Sequence, residues 1–369
     1  MKILHTADWH IGKKLNGRDL MEDQEFVLDQ LIGHIKEMKP DIIVIAGDIY
    51  DRSNPPREAL NLVNRYLHKM NVEMGIPVLM NSGNHDSRAL LDYGSAWFKA
   101  TDLYIHTAIE EVFTPVTIGG IDFHLVPHID VLEARQYFGE SSLRTHQDVY
   151  EHIVERMGPD PTRKNILIGH LFIQEGKQSD SERALSIGMS EEVSSDVFRD
   201  FDHVLLGHLH HPFAINHEKI HYSGSLLKYS FNEVNQPKGF RWLDTDEGTV
   251  KFIPLPPKHD IVEYEGDFDD LINERIDFKD KSAYFKFILS NLSHVKEPMS
   301  KIRMIYPNTL ELKVKTEDHG FNMTTIDMKE TSDYDIYASF IEEVAKRPPT
   351  EIEMGIFKEH FGGGQNEAH

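Results

Sequence analysis

Asp41-Ile42-Ile43-Val44-Ile45-Ala46-Gly47-Asp48 decides how this chain is read. A short, strongly apolar run stops at a glycine and a carboxylate, as a buried strand does when its end opens into a loop. Lys2–His5, Pro77–Asn81, Asn165–Ile168 and His203–Leu206 repeat the design. Chemistry collects where these runs stop, in Asp8-Trp9-His10, Gly47-Asp48, Gly83-Asn84-His85-Asp86, Gly169-His170 and Gly207-His208-Leu209-His210. Between the first two runs, Phe26, Val27, Leu31, Ile32 and Ile35 recur at helical spacing, which predicts an amphipathic helix over Asp23–Met38. Val116–Val126 and Ile220–Pro256 are strand-rich and point to a second sheet, hence to a layered α/β sandwich.

At 369 residues the chain holds one large domain with a smaller companion, or two or three modules. It has no cysteine, which excludes disulfides, thiolate zinc sites and a thiol nucleophile. Any metal must then be held by nitrogen and oxygen, and the 22 histidines are the natural place to look. The start lacks the features of a signal peptide and no stretch is apolar enough to span a bilayer, so a soluble, cytoplasmic protein is expected. The formal charge of −22 argues against a free-standing, tight DNA binder, because such binding draws on Lys and Arg against phosphate. A local basic patch or a basic partner would answer that objection.

None of the five loop motifs decides anything alone; a single His-Leu-His is usually structural. Together, in order and each at a strand end, they leave chance a poor explanation. Two divalent ions that clamp one phosphate need carboxylate, imidazole and amide-carbonyl ligands and one bridging carboxylate, for which Asp48 is the candidate. The glycines before Asp48, Asn84, His170 and His208 are expected to relax the turns from which these ligands point.

The set resembles the calcineurin-like metallophosphoesterase superfamily over roughly the first 225 residues, matching its D-x-H, GD, GNH[DE], GH and GHxH pieces. The resemblance implies an α/β/β/α sandwich of that type. It also implies that Asp8, His10, Asp48 and His210 hold one ion while Asp48, Asn84, His170 and His208 hold the other. His85 would face the substrate and protonate the leaving group or stabilise charge, and Asp51 would orient it; a turn or cap aspartate is an equal reading for Asp51. Arg52 is read as solvated or phosphate-facing, and Trp9 as packing. His5, His34, His124, His128, His203, His211 and His221 are read as structural.

Pro254–Pro257 reads as a boundary. Beyond it, Asp260–Tyr264, Phe268–Asn273, Ala283–Leu289, Ser293–Met304 and Leu310–Lys315 read as strand, helix, strand, helix, strand. A polar linker, Thr316–Ser332, leads to amphipathic stretches around Tyr334–Lys346 and Glu351–Phe361, and Gly362–His369 has a disordered composition. The domains expected are therefore 1–256, 257–316 and 317–369.

Metal motifs do not separate phosphatases, cyclic-nucleotide phosphodiesterases and nucleases. The opening Met1–Gly12, Gly47–Asp51, Tyr222-Ser223-Gly224-Ser225 and Tyr229-Ser230-Phe231 resemble the branch that supplies the nuclease subunits of ATP-driven DNA break-repair complexes. That branch implies two Mn²⁺ ions, DNA as substrate, a small α+β capping domain at 257–316 and tail helices that dock an ATPase subunit. It also implies a second nuclease copy, within a heterotetramer. A stand-alone small-molecule phosphodiesterase would need neither module nor tail, and a catalytically dead scaffold would not keep every ligand position filled.

Overall fold

The computed structural model describes residues 1–174, 191–315, 337–338, 341–342 and 347–361, without side chains at 359–361. The chain divides into two compact units, Met1–Val314 and Lys315–His369.

Strand Ile42–Ala46 is buried at every position and shows why the first unit is layered. Successive side chains leave a strand on opposite faces. Ile43 and Ile45 pack with Val27, Leu31, Leu62 and Val63 of two helices. Ile42, Val44 and Ala46 pack with Phe123, Leu125, Ile168 and Leu205 of a second sheet. The second sheet repeats the arrangement, because Leu167, Val204 and Leu206 turn away toward Val149, Tyr150 and Ile153 of another helix. The layers are helix, sheet, sheet, helix, as the resemblance implied.

In chain order the first sheet is built from β1 (Lys2–Thr6), β2 (Ile42–Ala46), β3 (Val78–Asn81) and β4 (Leu103–His106), all parallel. The second contains β5 (Val116–Ile118), β6 (Ile121–Val126), β7 (Lys164–His170), β8 (His203–Gly207) and β9 (Ile220–Tyr222), parallel except for β5. The sequence pattern assigns everything from Ile220 to Pro256 to the second sheet, and here the structure differs. Strands β10 (Gly239–Asp244) and β11 (Thr249–Pro254) form an antiparallel hairpin that closes the open edge of β1 in the first sheet. Alternation reports that a segment is a strand and says nothing about which edge it joins.

Helix α1 spans Met21–Met38 and α2 spans Arg57–Leu67. Phe26, read as inward, is 42% exposed, and Leu28 takes its place in the buried stripe. The inward face of the first turn of α1 is polar, with Asp23 and Gln24 both buried.

Beyond Pro257 the order is strand, helix, strand, helix, strand: β12 (Ile261–Asp267), α3 (Phe268–Ile272), β13 (Tyr284–Ser290), α4 (Pro298–Ile305) and β14 (Thr309–Val314). The three strands are parallel with β13 central. They share a core of their own, including Phe268, Phe285, Phe287 and Tyr306.

In the second unit, α5 runs from Glu351 to Phe361. Tyr337 stacks on Phe357 at 4.2 Å between ring centres. The linker Thr316–Ser332, Tyr334, Phe340, Val344 and Gly362–His369 lie outside the described residues. Among the described residues, no helix is long and apolar enough to cross a membrane.

Candidate metal centre

Parallel strands bring their carboxyl ends to one side of a sheet, the usual seat of a site. Asp8 follows β1, Asp48 follows β2, Asn84 follows β3, His170 ends β7 and His208 follows β8. The loops bind each other: Asp8 N–H donates to Gly47 O at 3.1 Å and His10 N–H to Asp48 O at 3.0 Å. Asp8 (φ 51°), His10 (φ 43°), Asp48 (φ 51°) and His208 (φ 96°) all adopt left-handed backbone. Each such residue costs about 1–3 kcal/mol and persists only where its surroundings over-determine it. Gly47 shares the conformation at φ 79°. Gly83 is needed for a different reason, since a Cβ there would collide with the Asp48 carboxylate. The turns therefore put much of their strain on the ligand candidates themselves, not on the glycines before them.

All seven ligand candidates come together. His10 Nε2 and His210 Nε2 lie 3.0 Å apart, and with an oxygen of Asp8 they form one tight donor group. His170 Nε2 lies 3.0 Å from Asn84 Oδ1, and His208 Nδ1 lies 3.3 Å from the same oxygen. Asp48 Oδ2 stands between the two groups, 3.5 Å from His10 Nε2 and 3.4 Å from His170 Nε2. Its other oxygen accepts the His85 N–H at 2.9 Å.

Electrostatics differ from one donor to the next: His10, His208 and Asp48 are held in the ligating form, while Asp8 and His170 are drawn toward protonation. Burial holds His10 and His208 well below the usual histidine range, so both are neutral, the form that ligates. Burial pushes Asp8 up to about 6. Burial also opposes charge on Asp48, but His170, His10 and His85 outweigh it and keep the carboxylate ionised. His170 is likewise buried, yet the carboxylates of Asp48 and Asp8 draw it up to about 9. Buried oxygens and nitrogens without sulfur suit a hard or borderline cation.

The calcineurin-like phosphoesterase profile matches residues 1–212. The SbcD subunit of the SbcCD nuclease of Staphylococcus epidermidis (strain ATCC 12228 / FDA PCI 1200) is 45% identical over 363 residues, covering 97% of each chain. The chain belongs to the calcineurin-like phosphoesterase family and, within it, to the SbcD group. It is an enzyme that hydrolyses phosphodiesters and a metal-binding protein of a family that uses divalent ions. Among solved structures, TT1561 of Thermus thermophilus overlaps 69% of this chain and 99% of its own, at 14% identity and a TM-score of 0.41, too weak a likeness to carry an argument.

His85 has its Nε2 4.0 Å from Asp48 Oδ2 and is partly open to solvent, like Asn84 and unlike the other six ligand candidates. Its Nδ1 meets the main-chain carbonyl of Asp51 at 2.9 Å. The Asp51 carboxylate pairs with Lys13 at 2.8 Å and also lies within 4.8 Å of a ring nitrogen of His85 and of His10, but the Asp51 atom in hydrogen-bond reach of His85 is the main-chain carbonyl. A carbonyl partner requires a hydrogen on Nδ1, and Nε2 is the nitrogen that faces Asp48. Arg52 is more than half exposed and, among the described residues, pairs with Asp51 at 3.8 Å. Trp9 is fully buried and donates to Thr6 Oγ1 at 3.0 Å, a packing role.

Four bracing residues carry no role in the sequence reading. Asp86 accepts N–H bonds from Ile49 at 3.2 Å, Tyr50 at 3.0 Å and Gly83 at 2.9 Å, fastening the Asp48 loop to the Asn84 loop. Burial and the nearby Asp48 push it up to about 6 in spite of them. Glu233 backs His210, 3.3 Å from its Nδ1, and is itself paired with buried Lys238 at 2.6 Å. Gln24 and Tyr229 hold the loop of His10 from behind. His128, read as structural, lies against the second group with its ring 6.4 Å from that of His170. Asp86 is visible as the last residue of Gly83-Asn84-His85-Asp86; Gln24 and Glu233 are bare polar residues with no local signal.

Proposed function

We propose that this chain is the nuclease subunit of an SbcCD-type complex, a Mn²⁺-dependent double-strand exonuclease and single-strand or hairpin endonuclease that works in DNA repair and recombination. The observation that carries the reading is Asp48 Oδ2, within 3.5 Å of a histidine nitrogen from each of two donor groups. Asp8, His10, Asp48 and His210 would hold one ion, and Asp48, Asn84, His170 and His208 the other. When bound, such a pair polarises a phosphodiester and lowers the pKa of an attacking water. The chain supplies the rest: the buried imidazoles of His10 and His208, held neutral, fix geometry on either side, Asp48 keeps the two groups in register, and His85 delivers a proton from Nε2 to the leaving oxygen.

The module at 257–316 would position DNA, and the tail at 317–369 would dock an SbcC-type ATPase. Ile352 and Ile356 are 76% and 54% exposed, which supports a partner for α5. A homodimer within a heterotetramer draws support from another patch, where Tyr93 and Trp97 are 77% and 75% exposed beside an apolar cavity of about 310 Å³. A basic partner would also answer the charge of −22.

The test is the purified chain on linear duplex DNA, hairpin DNA and a cyclic nucleotide, with and without Mn²⁺. Cleavage of both DNA forms that needs Mn²⁺ and stops with EDTA is expected. Full cleavage in excess EDTA removes the two-metal reading, and turnover confined to the cyclic nucleotide removes the nuclease.

A further inference from the structure

Asp23 and Gln24 are adjacent, polar and each only 2% exposed, in the first turn of a helix whose opening N–H, that of Met21, is already taken by the Asp19 carboxylate at 2.8 Å. Gln24 is spent on the loop that presents His10. Its Oε1 accepts the Gly12 N–H at 3.0 Å, and its Nε2 donates to His10 O at 2.8 Å and Trp9 O at 3.2 Å. The same nitrogen lies 3.3 Å from the Tyr229 hydroxyl, which also donates to Trp9 O. Only an amide serves both an N–H and two carbonyls here; a carboxylate lacks the donors and an apolar side chain lacks everything.

Asp23 is spent on the module beyond Pro257. Its Oδ1 accepts the His259 N–H at 3.2 Å and meets His259 Nδ1 at 2.7 Å, while its Oδ2 accepts the Tyr284 hydroxyl at 2.8 Å. His259 shortly precedes β12 and Tyr284 opens β13. Two neighbouring residues of one helical turn therefore hold the module and the His10 loop.

We infer that Asp23 and Gln24 couple the seat of the 257–316 module to the first group of the metal centre, with Gln24 the positioning residue for the His10 loop. This rests on the proposed role of His10 as a ligand. A displacement that drags Asp23 moves the first turn of α1, and with it the amide that holds His10 and Gly12. Loss of such outer partners typically weakens metal binding by about 10- to 100-fold.

The experiment uses the full chain as Gln24→Met, Asp23→Asn and Tyr284→Phe, read by amide hydrogen exchange of the metal-free protein and by Mn²⁺ calorimetry. Gln24→Met is expected to speed exchange at His10–Gly12 by about tenfold, weaken one Mn²⁺ by roughly tenfold and lower kcat more than KM. Exchange in β2 and β3 should stay at the parent rate, which a general loss of stability would not allow. Asp23→Asn and Tyr284→Phe should move the same loop amides in the same direction by about threefold. If Gln24→Met does not fold, Tyr229→Phe, which removes a hydroxyl from the same cluster, takes its place. Parent-like loop exchange in Gln24→Met, or in Tyr229→Phe when it is used instead, overturns the positioning role; parent-like exchange in both module-side variants overturns the coupling. Should His10→Ala still bind two Mn²⁺, the ligand reading has failed by itself, and the exchange rates of the metal-free protein still decide the coupling.

Discussion

The two halves of the metal centre are held by different means. Around His10 and His210 the support is side chain: Glu233 behind His210 at 3.3 Å, and Gln24 on His10 O at 2.8 Å. Around His170 it is main chain. That residue closes a central strand, and its Nδ1 meets Ala46 O at 2.9 Å. A main-chain brace cannot be removed without unmaking a strand, whereas a side-chain brace can be edited one residue at a time. The braces of His10 and His210 should therefore be tunable one at a time, as should the Asp86 carboxylate on the Asn84 loop, and substitutions can be ranked by how far they reach across the pair.

Asp48→Ala should have the largest effect because it erases the distinction. Its carboxylate serves both groups, so both Mn²⁺ ions should be lost in calorimetry and DNA cleavage should fall to background. Retention of one tight ion would mean that the halves are independent. His85→Ala comes next and leaves the comparison intact: both ions stay, while turnover falls by about 10²- to 10⁴-fold, as loss of a general acid does. An ion missing from His85→Ala in anomalous scattering would make His85 a ligand.

Glu233→Gln sharpens the comparison directly. Affinity for one of the two ions should drop roughly 10- to 100-fold with the other unchanged. Lys238 loses its buried carboxylate at the same time, and breaking such a pair costs about 3–5 kcal/mol, so the melting temperature should fall as well. Equal weakening of both ions would contradict the unequal bracing.

The same contrast explains what is readable in the sequence. Ligand candidates announce themselves because each closes an apolar strand, and strands such as Ile42–Ala46 are buried on both faces and so unbroken in sequence. The layers follow from the same runs. Bracing is illegible because it is non-local: Gln24 meets Tyr229 across 205 positions, and no periodicity reports such a pairing. Asp51 shows a finer limit. The position does belong to the site, but the oxygen that meets His85 is the carbonyl, which any residue type would supply. The hairpin β10–β11 is legible as strands and not as an edge of the first sheet, since sheet membership depends on which edge stands open.

The smallest effect on the centre is expected from cutting the chain after about Glu317. Every proposed ligand, the four bracing residues and, among the described residues, the four hydrophobic clusters lie within Met1–Val314, one of the two compact units. In the second unit Phe357 is engaged by Tyr337, so it adds little to an outward apolar face, but Ile352 and Ile356 stay exposed on α5. Neighbours at i and i+4 on a helix form a stripe of the kind that fits a groove or a coiled coil. The truncated protein should bind two Mn²⁺ and cleave DNA as the full chain does, yet fail to co-purify with an SbcC-type ATPase. Ile352→Asp with Ile356→Asp in the full chain should reproduce that loss without touching metal binding. Insolubility or loss of metal on truncation would assign the tail to the catalytic core. Undiminished ATPase binding by both proteins would move the docking surface off α5.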